Sequence, residues 1–156
     1  MARLTAGKTG PREKLDALYT YVSEQVRYVA VEFGIGGYQP HPALDVFRNR
    51  YRDCKDKTGL LQALLAAAGI PSYPALLSAS RGVTEPAGPM PGQFNHVITV
   101  VPIGGELLWM DPTIAVAPFG VLSISVRCRQ ALLLEPGGQQ TCRHSAAQSG
   151  SRTGRA

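Results

Sequence analysis

The sequence has few cysteines and no long apolar run, and these two shortages exclude several classes of protein. Its three cysteines are an odd number without CxxC spacing, which argues against a disulfide framework or a structural zinc site. No run of about twenty apolar residues occurs, so we expect no membrane-spanning helix. The first dozen residues also lack the apolar segment of a signal peptide. We therefore expect a cytoplasmic protein as written, or a periplasmic one if the chain is a fragment.

The basic charge lies at the two ends of the chain rather than in its middle. The net charge of the 156 residues is +5, yet residues 1–14 and 136–156 carry +3 each, which leaves −1 for residues 15–135. Nucleic-acid binding needs a basic face on the folded part. We therefore expect no nucleic-acid partner.

The chain length allows one domain with a real core. We expect a flexible segment over 1–13, the domain over 14–135, and a disordered basic tail over 136–156, where Gly, Ser, Gln and Arg dominate. Hydrophobic periodicity and turn residues predict the regular elements. These are helices at 12–26, 42–50 and 54–69, and strands at 27–32, 72–77, 94–101, 106–111 and 131–134.

Residues 51–61 place Cys54 at the start of an amphipathic helix, with Asp53 as its N-cap. Unpaired backbone N–H groups at a helix N-terminus stabilise a thiolate. Five cations and two acids between residues 48 and 57 add a local excess of +3 that favours the same form. The alternative interpretation is a small buried hydrophobe, which most free cysteines are.

Two strands joined by residues 102–105 bring a histidine and a carboxylate together. A turn centred between Ile103 and Gly104 pairs His96 with Asp111, and opposed residues on antiparallel strands point to the same side. A turn on Gly104 and Gly105 instead leaves the two residues diagonal. The pair is either a satisfied buried polar contact or part of a catalytic site.

Cys54, His96 and Asp111 together have the composition of a thiol acyl-transfer site. His96 would accept the thiol proton, and Asp111 would stabilise the imidazolium. The Cys54 backbone N–H would face the developing oxyanion. Cys, His and Asp are also metal ligands, but no short fixed spacing among them supports a metal site, and we expect neither metal nor cofactor.

Several motifs make the chain resemble the transglutaminase-like superfamily, whose papain-like core carries Cys, His and Asp in that chain order. The resemblance covers about residues 14–135. The matching stretches are Arg27-Tyr28-Val29, Gly36-Gly37-Tyr38-Gln39-Pro40-His41-Pro42, Tyr51-Arg52-Asp53-Cys54-Lys55-Asp56-Lys57, Ala68-Gly69-Ile70-Pro71-Ser72-Tyr73-Pro74, Phe94-Asn95-His96-Val97 and Leu108-Trp109-Met110-Asp111-Pro112-Thr113.

The resemblance implies an α+β fold, in which the cysteine helix packs on an antiparallel sheet. By position, Cys54 matches the nucleophile of the family, His96 its general base and Asp111 its orienting acid. Members of the family transamidate glutamine, hydrolyse amide or peptide bonds, or serve as inactive binding modules, so a protein or peptide partner is implied in each case. The bacterial branch that the chain resembles places the core behind a β-rich domain in a longer chain.

Two other thiol enzyme families fit less well. Arylamine acetyltransferases share the Cys-His-Asp order, but their arginine- and glycine-rich approach to the cysteine is not seen at 49–53. Papain-type proteases place the histidine about 130–150 residues after the cysteine, whereas His96 follows Cys54 by 42 residues. Within the predicted domain, Tyr38, Gln39 and His41 are expected to line the cleft. Alternatively, this loop simply packs Tyr38 onto the core.

Overall fold

The structure is a computed structural model that describes residues 3–30, 39–80, 91–143 and 151–152. It combines helices with an antiparallel sheet, as the α+β prediction requires. The helices are α1 (Pro11–Gln25), α2 (Ala43–Asn49) and α3 (Cys54–Ala67), and a 3₁₀ turn covers Pro91–Gln93. The strands are β1 (Arg27–Tyr28), β2 (Tyr51–Arg52), β3 (Tyr73–Leu77), β4 (His96–Ile103), β5 (Glu106–Met110), β6 (Gln130–Glu135), β7 (Gly138–Arg143) and β8 (Ser151–Arg152).

Six strands form one sheet in the order β5-β4-β3-β6-β7-β8, and every neighbouring pair in it is antiparallel. The short strands β1 and β2 pair separately and in parallel. This small ribbon joins the end of α1 to the residues just before Cys54. The thiol-bearing helix therefore begins at a point that two strands hold in place.

Side chains on the two faces of the sheet enter separate apolar clusters. The first cluster lies between the sheet and the helices and includes Leu18 of α1, Leu61 of α3 and Met110 of β5. The second covers the opposite face, where Trp109 and Ile98 pack with Leu122 of the chain between β5 and β6. Alternating side chains on β4 and β5 thus supply both clusters, which fixes the hairpin between two layers.

Helix α3 ends where the sequence predicts a stop, and the contacts explain the sharp boundary. Gly69 adopts a left-handed φ of 74°. Its N–H donates to the Ala66 carbonyl at 3.0 Å, and the Ile70 N–H donates to the Leu65 carbonyl at 2.9 Å. These two bonds form a Schellman motif, in which glycine takes the left-handed position without the steric cost of a Cβ.

The predicted register of the β4–β5 hairpin is wrong by two residues. Ile103 pairs with Glu106, and Thr99 pairs with Met110. The turn therefore consists of Gly104 and Gly105, whose φ values are +61° and +82°. Two successive residues with positive φ form the tight turn that matches the twist of a hairpin. His96 and Asp111 consequently lie diagonal to one another.

The prediction that regular structure ends at residue 135 is also wrong. Strand β7 pairs with β6 from Glu135 opposite Gly138 to Gln130 opposite Arg143. Backbone hydrogen bonds alone can extend a sheet with polar residues, and composition is a poor guide to that pairing. The predicted strand at 27–32 is described only up to residue 30. The sequence also predicts an exposed loop over 78–92, of which residues 81–90 lie outside the described residues. Within the described ranges, no helix has the length and apolar character needed to cross a membrane.

Candidate active site

Cys54 is the first residue of α3, and its neighbours fix the helix start. The Asp53 side chain accepts a hydrogen bond from the Asp56 N–H at 3.2 Å, which makes Asp53 the N-cap. The Cys54 side chain is half-buried. Its own backbone N–H stands in the first turn, where no carbonyl one turn earlier exists to accept it within the helix. The predicted position of the thiol at a capped helix N-terminus is therefore what the structure shows.

His96 and Asp111 are in direct contact despite their diagonal register. His96 Nε2 donates to Asp111 Oδ2 at 2.8 Å. His96 is the first residue of β4, and Asp111 follows the last residue of β5. Because the strands are antiparallel, these positions lie at the same end of the hairpin. Diagonal neighbours are within reach of long side chains, so the contact survives the change in register.

The His96 imidazole also interacts with the Cys54 thiol. Burial lowers the pKa of His96, but hydrogen bonds with Asp111 and with Cys54, together with their charges, outweigh burial and raise it to about 9. Since Nε2 is bonded to Asp111, Nδ1 is the ring nitrogen left for Cys54. The three predicted site residues therefore meet, with the imidazole between sulfur and carboxylate.

Asp111 is held as an anion by several donors. Burial raises the pKa of Asp111, but the hydrogen bond from His96, the His96 charge and two hydrogen bonds from Thr113 keep it below its usual value. The Thr113 N–H and hydroxyl both donate to Asp111 Oδ1, at 3.0 and 2.6 Å. One carboxylate oxygen thus binds Thr113 while the other binds His96, which fixes the plane of the carboxylate.

Two hydrogen bonds tie neighbouring elements to the backbone at this site. The Tyr19 hydroxyl of α1 donates to the Asp111 carbonyl at 3.1 Å. The Thr58 hydroxyl of α3 donates to the Val97 carbonyl of β4 at 3.2 Å. Thr58 lies four residues after Cys54, and Val97 follows His96. The cysteine helix is therefore pinned to the histidine strand one turn from the sulfur.

Three of the five cations that the sequence places near Cys54 are engaged by other groups. Lys55 pairs with Asp53, and Arg52 Nε lies 3.5 Å from Asp56 Oδ2. Lys57 is fully buried, and its amine donates to backbone carbonyls at the end of α1. Each of these three charges is therefore engaged elsewhere, which weakens the expected effect of local charge on the thiolate.

The segment before α2 is tied to the first turn of α3. The buried carboxylate of Asp56 accepts from the His41 N–H at 2.7 Å and from the His41 ring at 2.8 Å. Gln39 is exposed two residues earlier, and Tyr38 lies outside the described residues. Of the three residues expected either to line the cleft or to pack as a loop, His41 is thus the one whose position near the α3 N-terminus is fixed by contacts.

No group of three or more His, Cys, Asp and Glu side chains in the described part of the chain is arranged to hold a metal ion. The contacts of Cys54, His96 and Asp111 are those of hydrogen-bonded partners in a row.

Comparison with known proteins identifies the family. The family model of the transglutaminase-like superfamily matches residues 1–101. The chain belongs to the transglutaminase-like superfamily. This match includes Cys54 and His96 and ends before Asp111. Membership supports a cysteine-dependent enzyme at the level of the family, and it confirms the resemblance seen in the sequence.

Two solved structures share the fold of this transglutaminase-like chain. One is a putative protease from Parabacteroides distasonis, with a TM-score of 0.71 and 16% identity over 94% of this chain and 26% of that one. The other is a putative cysteine protease from Cytophaga hutchinsonii, with a TM-score of 0.55 and 20% identity over 72% of this chain and 35% of that one. At these identities the likeness concerns the fold, and this chain spans only about a quarter to a third of those chains. No curated protein matches the sequence.

Three residues around the transglutaminase-like site make contacts there that were not predicted. Thr113 had a usable signal, because an Asp followed two residues later by a hydrogen-bond donor is typical of a turn closed by the Asp side chain. Tyr19 and Lys57 had no such signal. In the sequence, Tyr19 is one member of an apolar helix stripe, and Lys57 is part of a charged helix start. Their partners are distant in sequence, 92 and 31–34 residues away.

Proposed function

We propose that this chain is a thiol enzyme that opens amide or peptide bonds through a thioester on Cys54. The observation that carries the proposal is that His96 is hydrogen-bonded to Asp111 and also interacts with Cys54. A buried His–Asp pair that only stabilised the core would consist of those two residues alone. A third partner that is a half-buried thiol at a helix N-terminus supports a nucleophile and its base.

The first half of the reaction forms the thioester. His96 accepts the Cys54 proton, and the sulfur attacks the carbonyl carbon of the substrate. Asp111 stabilises the imidazolium that results and keeps its ring orientation. When the tetrahedral intermediate collapses, the C–N bond breaks and His96 returns the proton to the departing amine. The products of this half are a Cys54 thioester and a free amine, or ammonia when the substrate is a glutamine side chain.

The second half removes the acyl group. His96 takes a proton from water or from a primary amine, and that nucleophile attacks the thioester carbonyl. The C–S bond then breaks, and His96 returns the proton to the sulfur. Water yields a carboxylic acid, and an amine yields a new amide. The two structural neighbours carry the name protease, which favours water as the acceptor and a peptide as the substrate.

The start of α3 supplies the electrostatic part of the proposal. The Cys54 backbone N–H lies in the first turn and points with the helix dipole towards the N-terminal side. A negative oxygen that develops next to the sulfur would accept this N–H. Removing one such donor typically costs about 10²–10³ in kcat, so this contact is a substantial share of the catalysis proposed.

Active-site labelling tests the role of Cys54. A peptide that carries a thiol-reactive electrophile is incubated with the protein in a Cys128→Ser/Cys142→Ser background, where Cys54 is the one thiol left. Intact-mass measurement should show one adduct, and Cys54→Ala should show none. His96→Gln should label at least about tenfold more slowly, because the base that generates the thiolate is lost. The Cys128→Ser variant alone is the matched control, since Cys128 is exposed and distant in sequence.

The acceptor is distinguished by a second assay. A glutamine-containing peptide is offered with and without a fluorescent primary amine, and the products are identified by mass. Gain of one water with loss of the amine component indicates hydrolysis, and incorporation of the fluorophore indicates transamidation. If neither product forms and the labelling rate equals that of a free thiol, the proposal is wrong and the chain is an inactive binding domain of the same fold.

A further inference from the structure

Helix α1 contacts both Asp111 and the helix α3 that carries Cys54. In the contacts described, none of its residues touches the sulfur or the imidazole. Its inner face is completely buried, with Leu15, Leu18 and Val22 at 0% exposure and Tyr19 at 1%. Polar contacts join α1 to the site in two places. One is the helix that carries Cys54, and the other is the residue that orients His96.

The contact with α3 provides a hydrogen-bond donor for backbone carbonyls at the C-terminal end of α1. The last carbonyls of a helix have no intrahelical partner, and a cation there is favourable. The last turn of α1 contains no basic residue of its own. Lys57 of α3 provides the charge instead, donating to the Ser23 carbonyl at 3.2 Å and to the Val26 carbonyl. Because Lys57 lies three residues after Cys54, this bond fixes the first turn of α3 relative to α1.

The contact with Asp111 lies about one turn earlier on α1. The Tyr19 hydroxyl donates to the Asp111 carbonyl at 3.1 Å. The Tyr19 ring meets the edge of the Phe119 ring with centroids 5.8 Å apart, so the chain that follows Asp111 also packs on Tyr19. Tyr19 therefore holds this segment of chain at two points, through its hydroxyl at Asp111 and through its ring at Phe119.

We propose that Tyr19 and Lys57 are positioning residues, which use α1 as a spacer to set the separation between Cys54 and the His96–Asp111 pair. The inference rests on the proposed function. The contacts form a closed circuit: Cys54 to His96, His96 to Asp111, Asp111 to Tyr19, and from α1 through Lys57 back to the helix of Cys54. Small displacements matter for such a site, because a misplacement of about 1 Å can cost about 10²-fold in rate.

Lys57 is costly to bury, and its hydrogen bonds to α1 offset that cost. Burial lowers the pKa of Lys57 to about 8, although the Asp111 charge partly opposes the effect. An apolar side chain of similar length would leave the Ser23 and Val26 carbonyls buried without this donor, which is also unfavourable. Lys57 therefore ties α3 to α1 through these two bonds.

The test compares Tyr19→Phe with Tyr21→Phe. Both substitutions remove one hydroxyl from α1, and Tyr21 packs on Phe47 with ring centroids 5.6 Å apart, away from Asp111. Two quantities are measured in the background with Cys54 as the one thiol: the rate of alkylation by iodoacetamide, and the pKa of His96 from NMR titration of its ring, assigned with His96→Gln. Tyr19→Phe should slow alkylation about five- to tenfold, the equivalent of one hydrogen bond. It should also bring the pKa of His96 below its value of about 9 in the parent.

A double-mutant cycle distinguishes a shared positioning role of Tyr19 and Lys57 from two independent contacts. Lys57→Met and Tyr19→Phe should each slow alkylation, and the double variant should be little slower than the slower single variant, because one break already releases the circuit. Rate losses that multiply would overturn the proposal. If Lys57→Met does not fold, Lys57→Gln replaces it in the cycle, because its amide is uncharged and one bond shorter and so weakens both bonds to the α1 carbonyls while a donor remains.

The outcome does not depend on finding a substrate. If the parent protein shows no turnover, the proposed function fails, but alkylation and the His96 titration still report on the circuit. If the parent turns over substrate and Tyr19→Phe matches Tyr21→Phe in alkylation rate and in the pKa of His96, the positioning role is wrong while the proposed function stands. With turnover, Tyr19→Phe should lower kcat and leave KM nearly unchanged.

Discussion

The Nε2 atom of His96 lies 2.8 Å from Oδ2 of Asp111, even though the pairing of their strands places them diagonally. The bond is possible because both residues stand at the open end of the hairpin, where β4 begins and β5 has just ended. The β4–β5 ladder does not reach either residue, since it begins at Thr99 opposite Met110, although His96 pairs with Leu77 of β3 on its other side. The contact is therefore set by what surrounds Asp111 rather than by strand pairing alone.

Replacing Asp111 with Asn should remove most of the activity while the fold remains. The amide has nearly the same shape, but it lacks the negative charge that stabilises the imidazolium. We expect kcat to fall about 10²–10⁴-fold. The pKa of His96 should also fall, because the bond and charge of Asp111 help to raise it to about 9. Steady-state kinetics and NMR titration measure the two effects, and an unchanged pKa of His96 would contradict the assignment.

Activity should decline as the pH rises through about 9. In the proposed mechanism the imidazolium of His96 donates the proton to the departing amine, and with a pKa of about 9 it is protonated below that pH and neutral above it. The alkaline limb of kcat/KM against pH reports this loss. Asp111→Asn should move the limb to lower pH.

Other groups near the site titrate at alkaline pH and need a control. The pKa of Lys57 is lowered by burial to about 8, and that of Tyr19 is raised, mainly by burial, to about 12. If the limb belongs to His96, it should persist in the Lys57→Met variant. A limb that disappears with Lys57 would assign the effect to the amine instead.

Thr113→Val should weaken the site without abolishing it. The substitution removes the hydroxyl that donates to Asp111 Oδ1 and keeps the β-branched shape and the backbone N–H. We expect a loss of about 1 kcal/mol in the free energy of unfolding and about fivefold in kcat, as for one hydrogen bond. Thr113→Ser, which retains the hydroxyl, is the matched variant and should recover most of both. Equal losses in Val and Ser would show that the methyl group matters as much as the hydroxyl, which would contradict a specific role for the hydrogen bond.

Two glycines, Gly59 inside α3 and Gly69 just after its end, should have opposite effects on the free energy of unfolding when each is replaced by alanine. Gly69 has a φ of +74°, so Gly69→Ala should lower the free energy of unfolding by about 1–2 kcal/mol. Gly59 lies inside the helix, and no atom is within 4 Å of a Cβ built there. Gly59→Ala should therefore raise the free energy of unfolding by about 0.5–1 kcal/mol. Urea unfolding monitored by the fluorescence of Trp109 measures both, and the same sign for the two would refute the capping argument.

The helices, and the place of Cys54 at the start of one of them, were predictable because their signals are local. Asp53 is a good N-cap, the leucines that follow Cys54 repeat at helical spacing, and Gly69-Ile70-Pro71 ends the helix. The chain order of Cys54, His96 and Asp111 then pointed to the family. The roles of these three residues in catalysis remain a prediction that the experiments above address.

The hairpin register was missed because two turns compete over residues 102–105. A Gly-Gly pair favours the tight two-residue turn, and the structure adopts it at Gly104 and Gly105. Lys57 could not have been placed by any local argument, since a lysine in the first turn of a helix normally faces solvent. Its burial depends on the open carbonyls of α1, which the sequence does not connect to it.

The catalytic end and the turn end of the hairpin are opposite one another. His96 opens β4, whereas Gly104 and Gly105 are exposed eight and nine positions further on. The tip is therefore a suitable place to graft a short epitope or a fluorescent tag, because a changed loop there need not disturb the chemistry. An extra residue inside β4 would be a different matter, since it would exchange the inward and outward side chains over the remainder of the strand.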